Sequence, residues 1–261
     1  MMTANDLLRY KPYFMDERQL EKDYLQSLLL YEIYTDFSSE LVFKGGTALK
    51  FFYGLNRFSE DLDFTYTAEK TRGETIERFD RMFRRFDSSY KVQNLANLER
   101  RGTKTSLDYE LKIKGPLYEK NRAFQNIEVN ISLREAPLEK PVLLYLNTRY
   151  QDIPVTGIYL LALNEMLAEK VRAVLVRKRT VARDIYDIYY LMRFKGVEPD
   201  LELINKKLAV YNISFSAALL ISKIEGLTKM EWKSELSNIL KDVPDYDEYF
   251  VYLCEKFKKI R

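Results

Sequence analysis

Apolar and polar positions along the chain predict alternating helices and strands through residue 150. Apolar residues at helical spacing predict helices over 16–36 and 72–87, and a short helix over 47–54 that ends at a glycine. Period-two alternation and short apolar runs predict strands over 41–44, 62–66, 106–114, 124–133 and 142–147. Helices mixed with strands in this way indicate an α/β or α+β domain.

From about residue 160 the pattern becomes helical. The change near Pro154 predicts a boundary between a first domain of residues 1–153 and a helical lobe of residues 154–261. No repeat or Gly/Ser-rich linker separates them, so we expect two closely packed lobes with a site between them. The helices predicted in the second part cover 161–179, 181–194, 201–210, 214–225, 230–240 and 246–259.

Composition narrows the setting in which the protein works. No apolar run reaches the length of about 18 residues that a membrane span needs, so no membrane association is expected. The N-terminal segment lacks the apolar region of a secretion signal. Cys254 is the only cysteine, which excludes an internal disulfide and fits a reducing cytoplasm. We therefore expect a cytoplasmic protein.

The absence of histidine restricts the chemistry further. It removes Ser-His and Cys-His nucleophile pairs, histidine bases and His-ligated zinc. A metal ion here would depend on oxygen ligands, which favours Mg²⁺ or Mn²⁺. The net charge of +3 is mild, so only the local distribution of charge can indicate a nucleic-acid partner.

Asp61 and Asp63 form a D-x-D pair at a predicted strand. Residues two apart on a strand point to the same side, so the two carboxylates share a face while Leu62 and Phe64 point into the core. Carboxylates this close repel one another, and a divalent cation that bridges them to phosphate oxygens removes the repulsion. A solvated strand face is the structural alternative.

Gly45 and Gly46 lie between a predicted strand and a predicted helix, about fifteen residues before that pair. The start of a helix offers free N–H groups and partial positive charge to a phosphate, and Thr47 adds a hydroxyl. A plain tight turn is the alternative for a glycine pair alone. The succession of a strand, a glycine pair, a helix and the D-x-D is more specific than either motif alone. It predicts an enzyme that handles a nucleoside triphosphate.

A third carboxylate is expected if the site holds two metal ions, and Glu128 is the candidate. It lies with Asn130 and Ser132 on the polar side of a predicted strand. That side would abut Asp61 and Asp63 if the two strands are neighbours. An ordinary exposed strand face is the alternative.

A second cluster of charges lies in the helical part. Lys170 falls within the apolar stripe of its helix, and either contact with a triphosphate or snorkelling to the rim explains a lysine there. Arg177 lies on the same side, and Asp184 and Asp187 share a face of the next helix, where Asp184 also suits a cap. Between residues 170 and 195, eight Lys or Arg stand against two Asp. That surplus suits a phosphate or an RNA backbone, and it equally suits a solvated face.

With these residues in view, the sequence resembles the AbiEii/MenT-type nucleotidyltransferase family, whose members are toxins of toxin–antitoxin and phage-defence systems. The resemblance spans about residues 20–195 and depends on three motifs: FKGGTALKFFYGLNRFSEDLDF with the glycine pair, Arg57, Ser59 and the D-x-D; EKVRAVLVR with Lys170 and Arg177; and RDIYDIYYL with Asp184 and Asp187. In the first of these motifs, the second glycine stands where many related enzymes carry serine.

The resemblance implies an α+β fold, with a mixed nucleotidyltransferase-type sheet, flanking helices and a C-terminal helical lobe. It also implies Mg²⁺ (or Mn²⁺) and a nucleoside triphosphate. Some members add nucleotides to the 3′ end of tRNA, and some are partnered by an antitoxin encoded beside them. We therefore expect a nucleotidyltransferase toxin whose acceptor is RNA, in particular the tRNA 3′ end.

Each candidate residue has an expected role. The expected catalytic residues are Asp61, Asp63, Lys170, Asp184 and Asp187. Nucleotide binding is expected of Gly45, Gly46, Thr47, Arg57, Ser59 and Arg177, and metal binding of Asp61, Asp63 and Glu128. Two alternatives stay open: the same chemistry on a small molecule or a protein, and a non-catalytic module that binds a nucleotide or a partner.

Overall fold

The computed structural model describes residues 1–89 and 95–259 of the 261-residue chain. The chain divides into two compact units. Unit 1 comprises Met1–Tyr53, Ser59–Pro137 and Pro141–Leu160; unit 2 comprises Gly54–Phe58, Leu138–Lys140 and Leu161–Arg261.

The core of unit 1 is a seven-stranded mixed sheet within the described part of the chain, in the order β3-β4-β5-β2-β1-β7-β6. The β2–β5 and β1–β7 pairs are parallel. The remaining pairs are antiparallel. The strands are β1 Leu41–Lys44, β2 Leu62–Tyr66, β3 Leu95–Arg101, β4 Ser106–Ile113, β5 Gln125–Ser132, β6 Val142–Leu146 and β7 Thr156–Leu160.

The central strands of this sheet bury one face and leave the other more polar. Alternate residues are buried: Leu62 and Phe64 on β2, Leu107, Tyr109 and Leu111 on β4, and Ile127, Val129 and Ile131 on β5. Helices α2 (Glu17–Phe37) and α4 (Arg72–Ser89) pack together through stacked rings of Phe37 and Phe79, 4.1 Å apart. Phe83 of α4 lies 5.0 Å from the ring of Tyr109. Because Leu62 and Phe64 face this buried side, Asp61 and Asp63 lie on the polar face.

Helix α2 is buried on nearly all sides. Asp16 caps it by accepting a hydrogen bond from the Gln19 amide at 2.7 Å. The length of the helix matches the apolar spacing. Its polar side is buried as well, and buried Glu21 accepts hydrogen bonds from the Leu117 amide and from Gln125. The other helices of unit 1 are α1 Ala4–Leu8, α3 Gly45–Tyr53 and α5 Tyr118–Asn121.

Unit 2 is helical. Trp232, the only tryptophan of the chain, is buried against Tyr249 with ring centroids 5.0 Å apart, and its indole N–H donates to the carbonyl of Pro244. Buried Glu165 accepts hydrogen bonds from the Leu138 amide, which ties 138–140 to this unit. The helices are α6 Leu163–Val176, α7 Ala182–Phe194, α8 Leu201–Ala209, α9 Ala217–Glu225, α10 Lys229–Leu236 and α11 Tyr246–Lys258.

The predicted α+β class is confirmed, and the strands predicted at 41–44 and 62–66 match β1 and β2. Two strands were not predicted, β3 and β7. Because β7 belongs to the sheet, unit 1 extends to Leu160, beyond the boundary predicted after residue 153. None of the helices in the described residues combines the length and apolar composition needed to cross a membrane.

Candidate functional site

The glycine turn and the second carboxylate of the D-x-D are neighbours in unit 1. Strands β1 and β2 pair antiparallel with Lys44 opposite Asp63, and α3 begins at the next residue, Gly45. Gly45 has a φ of +75°, and a Cβ built on it would come 2.4 Å from Oδ2 of Asp63. Only glycine fits, because the conformation is left-handed and the space is taken by the carboxylate. The start of α3 and the carboxylate of Asp63 are therefore adjacent.

The D-x-D itself has the geometry of alternating strand residues. Asp61 and Asp63 are partly exposed, whereas Leu62 between them is fully buried. Both carboxylates are therefore accessible from the polar face of the sheet. Oxygen ligands of this kind suit Mg²⁺, and the close approach of Gly45 leaves no side chain between Asp63 and the start of α3.

Thr47 has a different contact from the predicted one. Its side chain is fully buried, and its hydroxyl donates to the backbone carbonyl of Asp61 at 2.5 Å. This hydrogen bond ties α3 to the residue that opens the D-x-D. Nucleotide binding by Thr47 stays a prediction.

Asn130, rather than Glu128, is the β5 residue in contact with the D-x-D. The parallel pairing of β2 and β5 places Asn130 beside Asp63, and its amide donates to Oδ1 of Asp63 at 3.1 Å. Glu128 is exposed two residues before Asn130, on the same polar side. Among the described residues, no group of three acidic, histidine or cysteine side chains is arranged to hold a metal ion. The structure therefore does not assemble the predicted trio of Asp61, Asp63 and Glu128.

Helix α2 contributes residues that the sequence analysis missed. Gln26 is fully buried, and its side-chain amide donates to the carbonyls of Ser59 at 3.0 Å and Glu60 at 2.7 Å. Lys22 lies 3.4 Å from the carboxylate of Glu60. Ser59, of which nucleotide binding is expected, contacts Gln26 through its backbone carbonyl. No local signal marks Gln26, because its partners are more than thirty residues away in the sequence.

In unit 2, Arg57 forms a buried ion pair with Asp187. Its Nε and Nη2 donate to the two oxygens of Asp187, each at 2.6 Å, and its Nη1 donates to the carbonyl of Phe58. Arg57 is only 3% exposed. Each guanidinium nitrogen of Arg57 donates a hydrogen bond within the protein, and its expected role in nucleotide binding stays a prediction. The pair holds the short segment 54–58 to α7.

Lys170 of α6 joins the same network. Its ammonium lies 2.7 Å from Asp187 and 3.2 Å from Asp184, and Arg177 lies 2.9 Å from the second oxygen of Asp184. The apolar spacing correctly placed Lys170 on an inner side, since its side chain is 15% exposed. Arg177 is 42% exposed. Three cations and two carboxylates are thus held together on α6, α7 and segment 54–58.

The network fixes the ionisation of its buried members. Burial alone would lower the pKa of Lys170, but Asp187 and Asp184 outweigh burial and raise it. Burial alone would raise the pKa of Asp187, but Arg57 and Lys170 outweigh burial and lower it. Lys170 is therefore a cation near neutral pH.

The candidate residues fall into two sets, one in each unit. Unit 1 brings together the glycine turn, the D-x-D and Asn130, and unit 2 brings together Arg57, Lys170, Arg177, Asp184 and Asp187. The convergence of both sets on one cleft stays a prediction.

Comparisons with known proteins identify a family and similar folds. The family model described as the nucleotidyl transferase AbiEii toxin of type IV toxin–antitoxin systems matches residues 28–257. MenT4, a nucleotidyltransferase toxin of Mycobacterium tuberculosis H37Rv, is similar in structure: the TM-score is 0.67 at 16% identity, over 100% of this chain and 91% of that one. JHP933 of Helicobacter pylori gives a TM-score of 0.60 at 21% identity, over 94% of this chain and 92% of that one. No match is found among the curated proteins.

Proposed function

This chain belongs to the AbiEii family of nucleotidyltransferase toxins of type IV toxin–antitoxin systems, and we propose that it transfers a nucleoside monophosphate from a nucleoside triphosphate to RNA with the help of Mg²⁺. The 3′ end of tRNA is the proposed acceptor. The observation that supports this most directly is the contact between Gly45, at the start of α3, and the carboxylate of Asp63. A phosphate-binding helix start beside a pair of carboxylates suits a metal-bound triphosphate.

The residues of unit 1 bind and orient the triphosphate. Backbone N–H groups at Gly45 and Gly46 face phosphate oxygens, and Asp61 and Asp63 hold the cation. Asn130 keeps Asp63 in place through its hydrogen bond. When bound, Mg²⁺ (or Mn²⁺) would neutralise phosphate charge and lower the pKa of the attacking hydroxyl, so the absence of histidine is no obstacle.

The cations of unit 2 stabilise negative charge. Lys170 and Arg177 neutralise charge that builds on the phosphates while the acceptor hydroxyl attacks the α-phosphate and pyrophosphate leaves. An ammonium carries three donors, so the two ion pairs of Lys170 are compatible with a further contact to a phosphate oxygen. Asp184 and Asp187 hold these cations in place.

Exposed basic residues support RNA as the acceptor. Arg177, Lys178 and Arg179 are consecutive and exposed between α6 and α7. An exposed run of cations binds a phosphate backbone without reading its sequence. A cognate antitoxin is the further partner that we propose, as the type IV family description implies.

The test is label transfer from each α-labelled triphosphate to total RNA, with and without Mg²⁺. We expect Mg²⁺-dependent labelling of RNA in the tRNA size range, and its loss in Asp61→Asn and Asp63→Asn. Asp108→Asn is the matched control, since Asp108 is a partly exposed carboxylate on the same sheet face, opposite Asn130 on β4. Undiminished transfer in both D-x-D variants would refute the site. Labelling of protein or of small molecules, with none in RNA, would refute the acceptor.

A further inference from the structure

Side chains hold three consecutive backbone carbonyls just before and at the first carboxylate of the D-x-D. Gln26 of α2 donates to the carbonyls of Ser59 and Glu60, at 3.0 and 2.7 Å. Thr47 of α3 donates to the carbonyl of Asp61 at 2.5 Å. Both donors are fully buried. The path of the chain into β2 is therefore set by two side chains that lie outside the D-x-D motif.

The orientation of the Gln26 amide is itself fixed. Lys50 of α3 donates to Oε1 of Gln26 at 3.1 Å and to Asp23 at 2.7 Å. Tyr150 also donates to Asp23, at 2.8 Å. Because a lysine can only donate, Oε1 must face Lys50, and the NH₂ group must face the two carbonyls. Helices α2 and α3 are thereby coupled to one another and to the segment before the D-x-D.

From this geometry we propose that Gln26 is a positioning residue, which aims Asp61 and Asp63 at a single divalent cation. The inference rests on the proposed function, in which these carboxylates hold the metal. Two carboxylates share a cation only when the backbone between them has a fixed direction, and the hydrogen bonds at residues 59–61 supply that direction. Groups that orient metal ligands in this way change metal affinity or activity by about 10- to 100-fold when they are altered.

The test measures Mn²⁺ affinity by electron paramagnetic resonance, without nucleotide, in the full chain. Gln26→Met keeps the size of the side chain and removes all its hydrogen bonds, and Gln26→Glu keeps the acceptor that faces Lys50, removes the donors and adds a negative charge. We expect both variants to bind Mn²⁺ about tenfold more weakly or worse, with a matching loss of label transfer. The fold is followed separately by circular dichroism and thermal melting.

Gln19→Met is the matched control. Gln19 lies on the same helix and is also buried, and its side-chain amide donates to the sulfur of Met15. The control should lose stability to a similar extent and keep wild-type Mn²⁺ affinity. If Gln26→Met does not fold, Thr47→Val removes the third donor with almost no change of shape, and the same loss of affinity is expected.

The outcomes separate this inference from the proposed function. If the wild type binds no Mn²⁺, or binds it equally well in Asp61→Asn and Asp63→Asn, the proposed metal site is wrong. If those variants lose Mn²⁺ while the Gln26 variants and Thr47→Val bind as tightly as Gln19→Met, the metal site stands. The positioning role of Gln26 is then overturned.

Discussion

The buried pair of Arg57 and Asp187 makes a strong prediction about the stability of unit 2. Asp187 is fully buried and Arg57 is 3% exposed. Substituting Asp187 by Asn keeps the shape and removes the negative charge, which leaves buried Arg57 and partly buried Lys170 without their shared counter-ion. Breaking a buried ion pair in this way costs about 3–5 kcal/mol.

The assay is urea unfolding followed by tryptophan fluorescence. Trp232 is the only tryptophan and lies buried in unit 2, so its emission reports on that unit. Asp187→Asn should lower the midpoint with little change in the slope, as expected when stability changes and the exposed surface does not. Glu248→Gln is the control: Glu248 is exposed and accepts a hydrogen bond from Tyr189, so the change should stay within about 0.5 kcal/mol.

A double variant tests the physical reason. Replacing Arg57 by Met together with Asp187 by Leu removes both charges and fills the space with apolar side chains. Replacing a buried ion pair in this way often leaves stability unchanged. The double variant should therefore be more stable than Asp187→Asn alone. A loss below about 1 kcal/mol in Asp187→Asn would show that this pair does not hold unit 2 together. A double variant less stable than Asp187→Asn would refute the explanation by unpaired buried charge.

Three further predictions concern Gly45, Asn130 and Asp187. Gly45→Ala should destabilise the protein by more than about 1 kcal/mol and lose most label transfer. Gly54→Ala is the control: its φ is also positive, at +74°, but the nearest atom to an added Cβ is 3.5 Å away. In thermal melts it should therefore show only the cost of backbone strain. Asn130→Ala should weaken Mn²⁺ binding while Glu128→Gln leaves it unchanged; the reverse would restore Glu128 as a ligand. Because the pKa of Asp187 is lowered below its ordinary 3.8, its contribution is complete above that value and is lost as the pH falls toward the folded-state pKa. Unfolding of the wild type in acid, monitored by Trp232, should therefore depend more steeply on pH than that of Asp187→Asn.

Local features of the sequence were sufficient to predict much of the first half of the chain. The D-x-D and the glycine turn were recognisable because each depends on neighbouring residues: strand alternation for Asp61 and Asp63, and a strand-to-helix turn for Gly45. The register of β1 and β2 then brings Asp63 to Gly45. Sequence could not give this contact, because register is set by strands that pair across a loop.

Contacts with partners far away in the sequence were not predicted. Arg57 looked like a phosphate ligand because it lies near the D-x-D, yet its partner Asp187 is 130 residues away. Gln26 resembled an ordinary polar position because a periodic pattern does not distinguish a glutamine that binds backbone carbonyls from one that faces water. Strand β7 was missed because the change to helical spacing near Pro154 hid a short strand that completes the sheet.

The charges of the unit 2 network argue that its two aspartates place cations rather than perform acid–base chemistry. Arg57, Lys170 and Arg177 carry three positive charges against the two negative charges of Asp184 and Asp187, which leaves one net positive charge. Exposure of the cations rises from 3% at Arg57 to 15% at Lys170 and 42% at Arg177. The buried end of the network is thus paired charge for charge, and the surplus lies at the accessible end. We expect an anion such as a triphosphate to meet Lys170 and Arg177 there, already oriented by their ion pairs with Asp187 and Asp184, so its binding would not have to include the entropy cost of ordering two long side chains.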